Sequence, residues 1–94
     1  MKKLEKGVTQ RQLRVGEMIK QALSLIFIRD EAKIPNIDTK EITVTEVRMS
    51  QDLKTAKAFV LPLGGKNANN TVEMLKDFSH LVRKVLSKKI TMKF

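Results

Sequence analysis

The stretch ITVTEVRMSQDLKTAKAFV, Ile42 to Val60, constrains the fold more than any other part of this chain. Two runs of β-branched and small apolar residues flank a polar break, Ser50-Gln51-Asp52, which is the pattern of strand, turn and strand. The strands are expected over Ile42–Met49 and Thr55–Leu61. Ile42 and Val44 share one face and Thr43 and Thr45 the other, yet Val47 and Met49 fall in phase with the threonines. A bulge or sharp twist near Glu46 explains this, because one extra residue shifts a two-residue alternation by one. On this reading Ile42, Val44, Ala58 and Val60 face the helices.

Helical periodicity supplies those helices. From Gln10 to about Arg29, Val15, Met18, Ile19, Ala22, Leu23 and Ile26 recur at three- and four-residue steps and share a face. Thr9 is the expected N-cap, and Arg14, Glu17, Gln21 and Ser24 fall on the wet side. Residues 30–41, with Pro35, Asn36 and Asp38, read as a loop. Pro62–Asn70 reads as a second loop, with Asn70 or Thr71 capping the next helix and Asn70 with Glu73 at capping-box spacing. Val72, Leu75, Phe78, Val82, Val85 and Leu86 form one stripe to about Lys88, and ITMKF reads as a short third strand. The order helix, strand, strand, helix, strand gives an α+β fold of one domain, residues 1–94, with helices on one face of a small sheet.

Charge locates the working surface. The net charge is +9. Residues 1–29 contribute +5, residues 30–70 contribute 0 and residues 71–94 contribute +4, so the excess lies in the two mainly helical end segments. A polyanionic partner follows, and nucleic acid is its commonest form. Lysine-rich codon usage is the competing explanation for the charge.

Chemistry is excluded on several grounds. There is no cysteine, so disulfides and thiolate metal sites are ruled out, and His80 is the only histidine. The acids Asp30, Glu31, Asp38, Glu41, Glu46 and Asp52 are scattered over loops and strand. No cofactor, metal site or catalytic constellation is expected. Leu63–Asn67, LGGKN, lacks the first glycine and the Ser or Thr of a phosphate loop. MKKLEKGVTQ has no apolar run after its charges, and Ala22–Ile28 is too short to span a bilayer, so a soluble cytoplasmic protein is expected.

Lys76, His80, Arg83 and Lys84 are spaced so that they share one exposed ridge, extended by Lys88 and Lys89. Such a ridge tracks successive phosphates, each pairing releasing condensed counterions. Asp77 interrupts it and competes for His80 or Lys84. Phe27 and Phe78 read as core, leaving Phe59 alone on the strands, too few aromatics for a sheet that reads several bases by stacking.

Three segments resemble the ribosome-binding factor A family of bacterial small-subunit assembly factors. RQLRV (Arg11–Val15) is similar to its R-x-x-R-V helix start. VTEVRMSQDLKTAKAFV (Val44–Val60) resembles its strand–S-x-D-L-x-x-A-K–strand signature, and LVRKVLSKK (Leu81–Lys89) resembles its apolar-Ile/Val-Arg-x-x-Leu-Gly-Lys segment. The resemblance implies a type II KH-like fold with a kinked second helix. It also implies binding to immature or free 30S subunits through 16S rRNA, in late maturation and rRNA processing, with an assembly GTPase as a further partner. Where the family kinks that helix with Ala-x-Gly, this chain has Phe78-Ser79-His80, which permits a bend rather than a sharp kink. The family also continues past this end, so the last strand is expected to be incomplete.

The expectation is therefore a monomeric, non-catalytic RNA-binding protein. Arg11, Arg14, Lys76, Arg83, Lys84, Lys88 and Lys89 contact phosphates, and the hairpin holds two helices apart. A basic module docking on an acidic protein is the alternative, and adsorption to a membrane surface is disfavoured because the apolar face of the first helix is needed for the core.

Overall fold

A computed structural model describes residues 7–63 and 68–90. It contains helix α1 (Gln10–Ile28), a 3-10 turn (Thr39–Glu41), strands β1 (Ile42–Met49) and β2 (Ala56–Pro62), and helices α2 (Ala68–Asp77) and α3 (Ser79–Ile90). The strands form a two-stranded antiparallel sheet with helices on one side, an α+β arrangement compatible with a small KH-like fold.

α1 begins where its capping residues dictate. Thr9 has extended backbone and its hydroxyl accepts from the Gln12 N–H at 3.1 Å, while Gln12 Oε1 accepts from the Thr9 N–H at 2.8 Å. Two orphan donors of the first turn are thereby satisfied. The Gln12 amide reaches further and donates from Nε2 to the Met49 carbonyl at 3.1 Å, tying the helix start to the end of β1. At the other end Asp30 adopts φ +52, with its N–H bonded to the Phe27 carbonyl and that of Glu31 to the Ile26 carbonyl. This is a Schellman cap with aspartate in place of the usual glycine. Thr39, almost wholly buried, donates its hydroxyl to the same Phe27 carbonyl at 2.8 Å.

The core lies between α1 and β1. Val15, Ile19, Leu23, Ile26 and Phe27 meet Ile42, Val44 and Val47, closed off by Ala32 and Ile34 of the intervening loop. Each such side chain contributes about 1.5–3 kcal/mol by leaving water. α1 approaches β1 so closely that a Cβ added to Gly16 would stand 2.7 Å from the Val47 carbonyl oxygen.

The bulge expected in β1 is present. Pairing runs Val44 with Val60 and then Glu46 with Phe59, so Thr45 is the extra residue, its hydroxyl donating to the Phe59 carbonyl at 3.1 Å. Val47 is thereby returned to the buried face with Ile42 and Val44. β2 starts and ends one residue later than expected. Ala58 pairs with Val47 on the helix side but is exposed, because the space above it is an open cleft.

The hairpin turn explains the S-x-D-L sequence. Ser50 Oγ donates to Asp52 Oδ1 at 2.6 Å and accepts from the Thr55 N–H at 3.0 Å, while Asp52 Oδ1 also accepts from the Lys54 N–H. Leu53 then takes φ +62, a conformation costing an L residue roughly 1–2 kcal/mol. Its side chain packs half-buried against the core, which offsets that cost.

The C-terminal half departs from the periodicity. The single helix expected over 72–88 begins earlier, at Ala68, so Asn70 and Thr71 lie inside it and are not caps. It is broken at Phe78, whose N–H bonds to the Met74 carbonyl while its own carbonyl accepts from Leu81 across a tighter three-residue turn. Two helices therefore replace the bend expected at Ser79, without a glycine. Ile90, expected to open a third strand, is helical, and residues 91–94 and the LGGKN glycines fall outside the described residues.

Gly16→Ala gains about 1 kcal/mol of helix propensity, but the contact with a backbone carbonyl costs roughly 1–3 kcal/mol. A lower urea midpoint is expected, and an unchanged or higher one would show that α1 can lift off β1. The Ser50 hydroxyl, then the Lys54 N–H, hold the Asp52 carboxyl below the ordinary 3.8. A depressed carboxyl supports the turn above that value and loses its contribution as pH falls through the lowered one. Carboxyl NMR titration should show this midpoint below 3.8 in the native chain and moved back up in Ser50→Ala.

Candidate nucleic-acid interface

The seven cations singled out in the sequence occupy distinct settings. Arg11 and Arg14 are exposed on the solvent side of α1, away from its buried face. Lys84 and Lys88 are exposed and one turn apart on α3. His80, a turn before Lys84, shares that face and lies beside Phe78, the ring centroids 6.4 Å apart. Asp77, the acid expected to compete for this ridge, is paired with neither His80 nor Lys84 among the described residues.

Lys76 and Arg83 lie elsewhere. The break at Phe78 puts Lys76 on α2 and the remaining cations on α3, so the ridge is divided between two helices rather than continuous along one. Lys76 and Arg83 instead border a cleft of about 740 Å³ between the hairpin, α1 and the α2–α3 pair. Its floor is apolar, formed by Ile19, Leu23, Ala58, Val60 and Leu86, and Lys54 from the hairpin turn stands at its rim. Among the described residues no acid borders this cleft. Lys54 and Lys57, which both line the cleft, are cations that sequence reasoning missed, having been absorbed into the hairpin. Lys76 makes a 3.7 Å ion pair with Glu73, but both side chains are about 70% exposed and such a pair is worth little.

Lys89 is in a different situation. Its ammonium lies 2.9 Å from Glu31 Oε1, both side chains are about two-thirds or more covered, and the carboxylate oxygen itself is shielded from water. The contact is an ion pair rather than a well-aligned hydrogen bond. Glu31 is aimed by the cap that ends α1, so this pair fastens the C-terminal end of α3 to the C-terminal end of α1. Lys89 thus has a structural partner, whereas Lys84 and Lys88 stand exposed.

Among the described residues no cluster of three or more His, Asp or Glu is placed to hold a metal, and no helix is long and apolar enough to cross a membrane.

Comparison with known proteins gives a consistent answer. The family model described as Ribosome-binding factor A matches residues 11–94. Ribosome-binding factor A of Pelagibacter ubique is 63% identical over 92 residues, covering 98% of this chain and 75% of that protein. The protein of the same name from Dinoroseobacter shibae is 46% identical over 88 residues, covering 94% of this chain and 65% of the relative. The protein of that name from Methylobacterium nodulans is 39% identical over the same length, again spanning 65% of it.

Glu31→Gln should lower the urea midpoint by an amount equivalent to about 1 kcal/mol or less, and Lys89→Met should do the same. Glu31→Gln, which releases the Lys89 ammonium, should raise polyanion affinity slightly, whereas Lys89→Met should cost little of it. A large affinity change without a stability change would return Lys89 to the binding surface.

Proposed function

The chain belongs to the ribosome-binding factor A family, and on that premise we propose that it is a non-catalytic ribosome assembly factor. It binds the immature or free 30S subunit through 16S rRNA and assists late small-subunit maturation and rRNA processing. The observation that carries this reading is the distribution of free charge. The chain's excess of +9 resides in its end segments, and Arg11, Arg14, Lys84 and Lys88 stand exposed on two helices packed against each other. Those four cations form ion pairs with no acid among the described residues. They are positioned to neutralise phosphates of folded RNA, with Lys76 and Arg83 as neighbouring contacts at the cleft. The binding energy of such an interface comes largely from counterion release, and the scaffold presents the cations on two helices packed together. The protein acts in the cytoplasm as a monomer on this reading, and an assembly GTPase is a further partner.

One observation favours a second reading. An apolar cleft bordered by Lys54, Lys76 and Arg83 suits an acidic protein segment with apolar anchors. Binding to naked rRNA and to ribosomal protein, each at two salt concentrations, separates the two.

Sucrose-gradient fractionation should find the native chain with free 30S particles and not with 70S. Lys84→Glu/Lys88→Glu should abolish that association while leaving the circular dichroism spectrum intact. Unchanged co-sedimentation would count against the helix face. The affinity should also fall with salt, log K decreasing by roughly 0.7–0.9 per phosphate neutralised for each unit of log salt.

A further inference from the structure

The outer face of the hairpin carries a feature that the helix cations do not explain. Phe59 is 40% exposed there, on the side of the sheet away from the helices. Arg48 stands 5.7 Å from its ring centroid and Lys57 6.0 Å from it. Both distances are near the outer limit of a cation–π contact, so neither cation is pressed onto the ring. Leu61, the next outward residue of β2, is 54% exposed.

This arrangement is not the one that stability alone would select. Arg48 and Lys57 are paired directly across the two strands, a like-charge arrangement that is destabilising except so far as Glu46 offsets Arg48. An exposed phenylalanine likewise leaves apolar surface in water. Glu46 engages Arg48, but among the described residues no acid pairs with Lys57. Two cations and one aromatic face, held at strand spacing, match a nucleotide unit: a flat base and the negative phosphates beside it.

We propose that Phe59 with Arg48 and Lys57 is a stacking site for one unpaired base of single-stranded RNA, the cations holding the adjoining phosphates. The proposal rests on the RNA-binding reading above and adds to it a single-stranded element, bound on the sheet face opposite the helices. One ring takes one base, so the site selects for an unstacked nucleotide and not for a sequence. To reach a phosphate the Arg48 guanidinium must give up its contact with Glu46, so Lys57 is the cation nearer to hand.

The chain has no tryptophan and no tyrosine, so Phe59→Trp creates a unique fluorophore at the site. Its emission should be quenched saturably by a short single-stranded oligoribonucleotide and much less by the same strand annealed to its complement. Ile28→Trp, at an exposed position of α1, should respond weakly to either. In fluorescence anisotropy Phe59→Ala should weaken single-strand binding about ten- to a hundredfold. Phe59→Leu, which keeps apolar bulk without the π face, should behave like alanine, and Phe59→Trp should bind as well as the native chain. All variants are checked by urea denaturation, and Phe59→Trp carries the argument should alanine lower the midpoint.

Native affinity in Phe59→Ala and Phe59→Leu, or equal quenching by duplex, overturns the stacking site while the RNA-binding reading stands. Failure of the native chain to bind either RNA overturns both. Phe59→Ala that weakens attachment to 30S particles but not to free RNA makes the strip a protein contact, which also overturns the proposal.

Discussion

α1 lies on β1 at a distance that only a residue without a side chain permits. With 2.7 Å between a notional Gly16 Cβ and the Val47 carbonyl oxygen, the helix backbone rests on the strand backbone. Everything else in the N-terminal half follows from that approach. Val15 and Ile19, on either side of the glycine, reach past the strand into the core, and Gln12 comes within hydrogen-bond range of the Met49 carbonyl. The helix is then clamped at both ends, by Gln12 at its start and by Thr39 and Asp30 at its finish. Lifting α1 by the width of a methyl group would open the core along its length, and close-packed interiors do not absorb such a gap cheaply.

The bulge at Thr45 makes the same contact possible from the strand side. Without it, Val47 would point to solvent and the carbonyl facing Gly16 would be displaced with it. Its second effect is on the outer face. Past the extra residue, Glu46 and Arg48 become outward neighbours of Phe59 and Lys57, so one insertion both completes the core and composes the exposed strip. A single backbone irregularity thus links the packing of one face to the make-up of the other.

Much of this was legible in the sequence because it is local. Thr9 with Gln12, the alternation of Ile42 to Val44 and its change of phase, and Ser50 with Asp52 are all decided within a few residues by hydrogen-bonding or a two-residue period. What was not legible is tertiary. Gly16 looks like a helix weakness until β1 is laid across it, and Lys89 looks like one more free cation until the α1 cap swings Glu31 toward it. The break at Phe78 escaped the periodicity argument because the apolar stripe of 72–86 continues through it in phase. The sequence resemblance, which implied a kinked second helix, carried that information, and the residue types at the break did not.

The two halves of the molecule consequently differ in kind. α1 and β1 bury most of the core, whereas neither α2 nor α3 contributes a fully buried residue. The helix pair is attached by half-covered side chains such as Leu75, Phe78, Val82 and Leu86, and by the Glu31–Lys89 pair at one end. Regions with few fully buried contacts open at low free-energy cost. A partner that neutralises Lys84 and Lys88 therefore engages an element able to adjust its seat over the cleft, while the strip on the outer sheet face stays fixed to the rigid half. Contacts on both would couple the position of the helix pair to the partner's shape. That is a more discriminating arrangement than a uniformly rigid basic surface, which would accept any polyanion of sufficient charge.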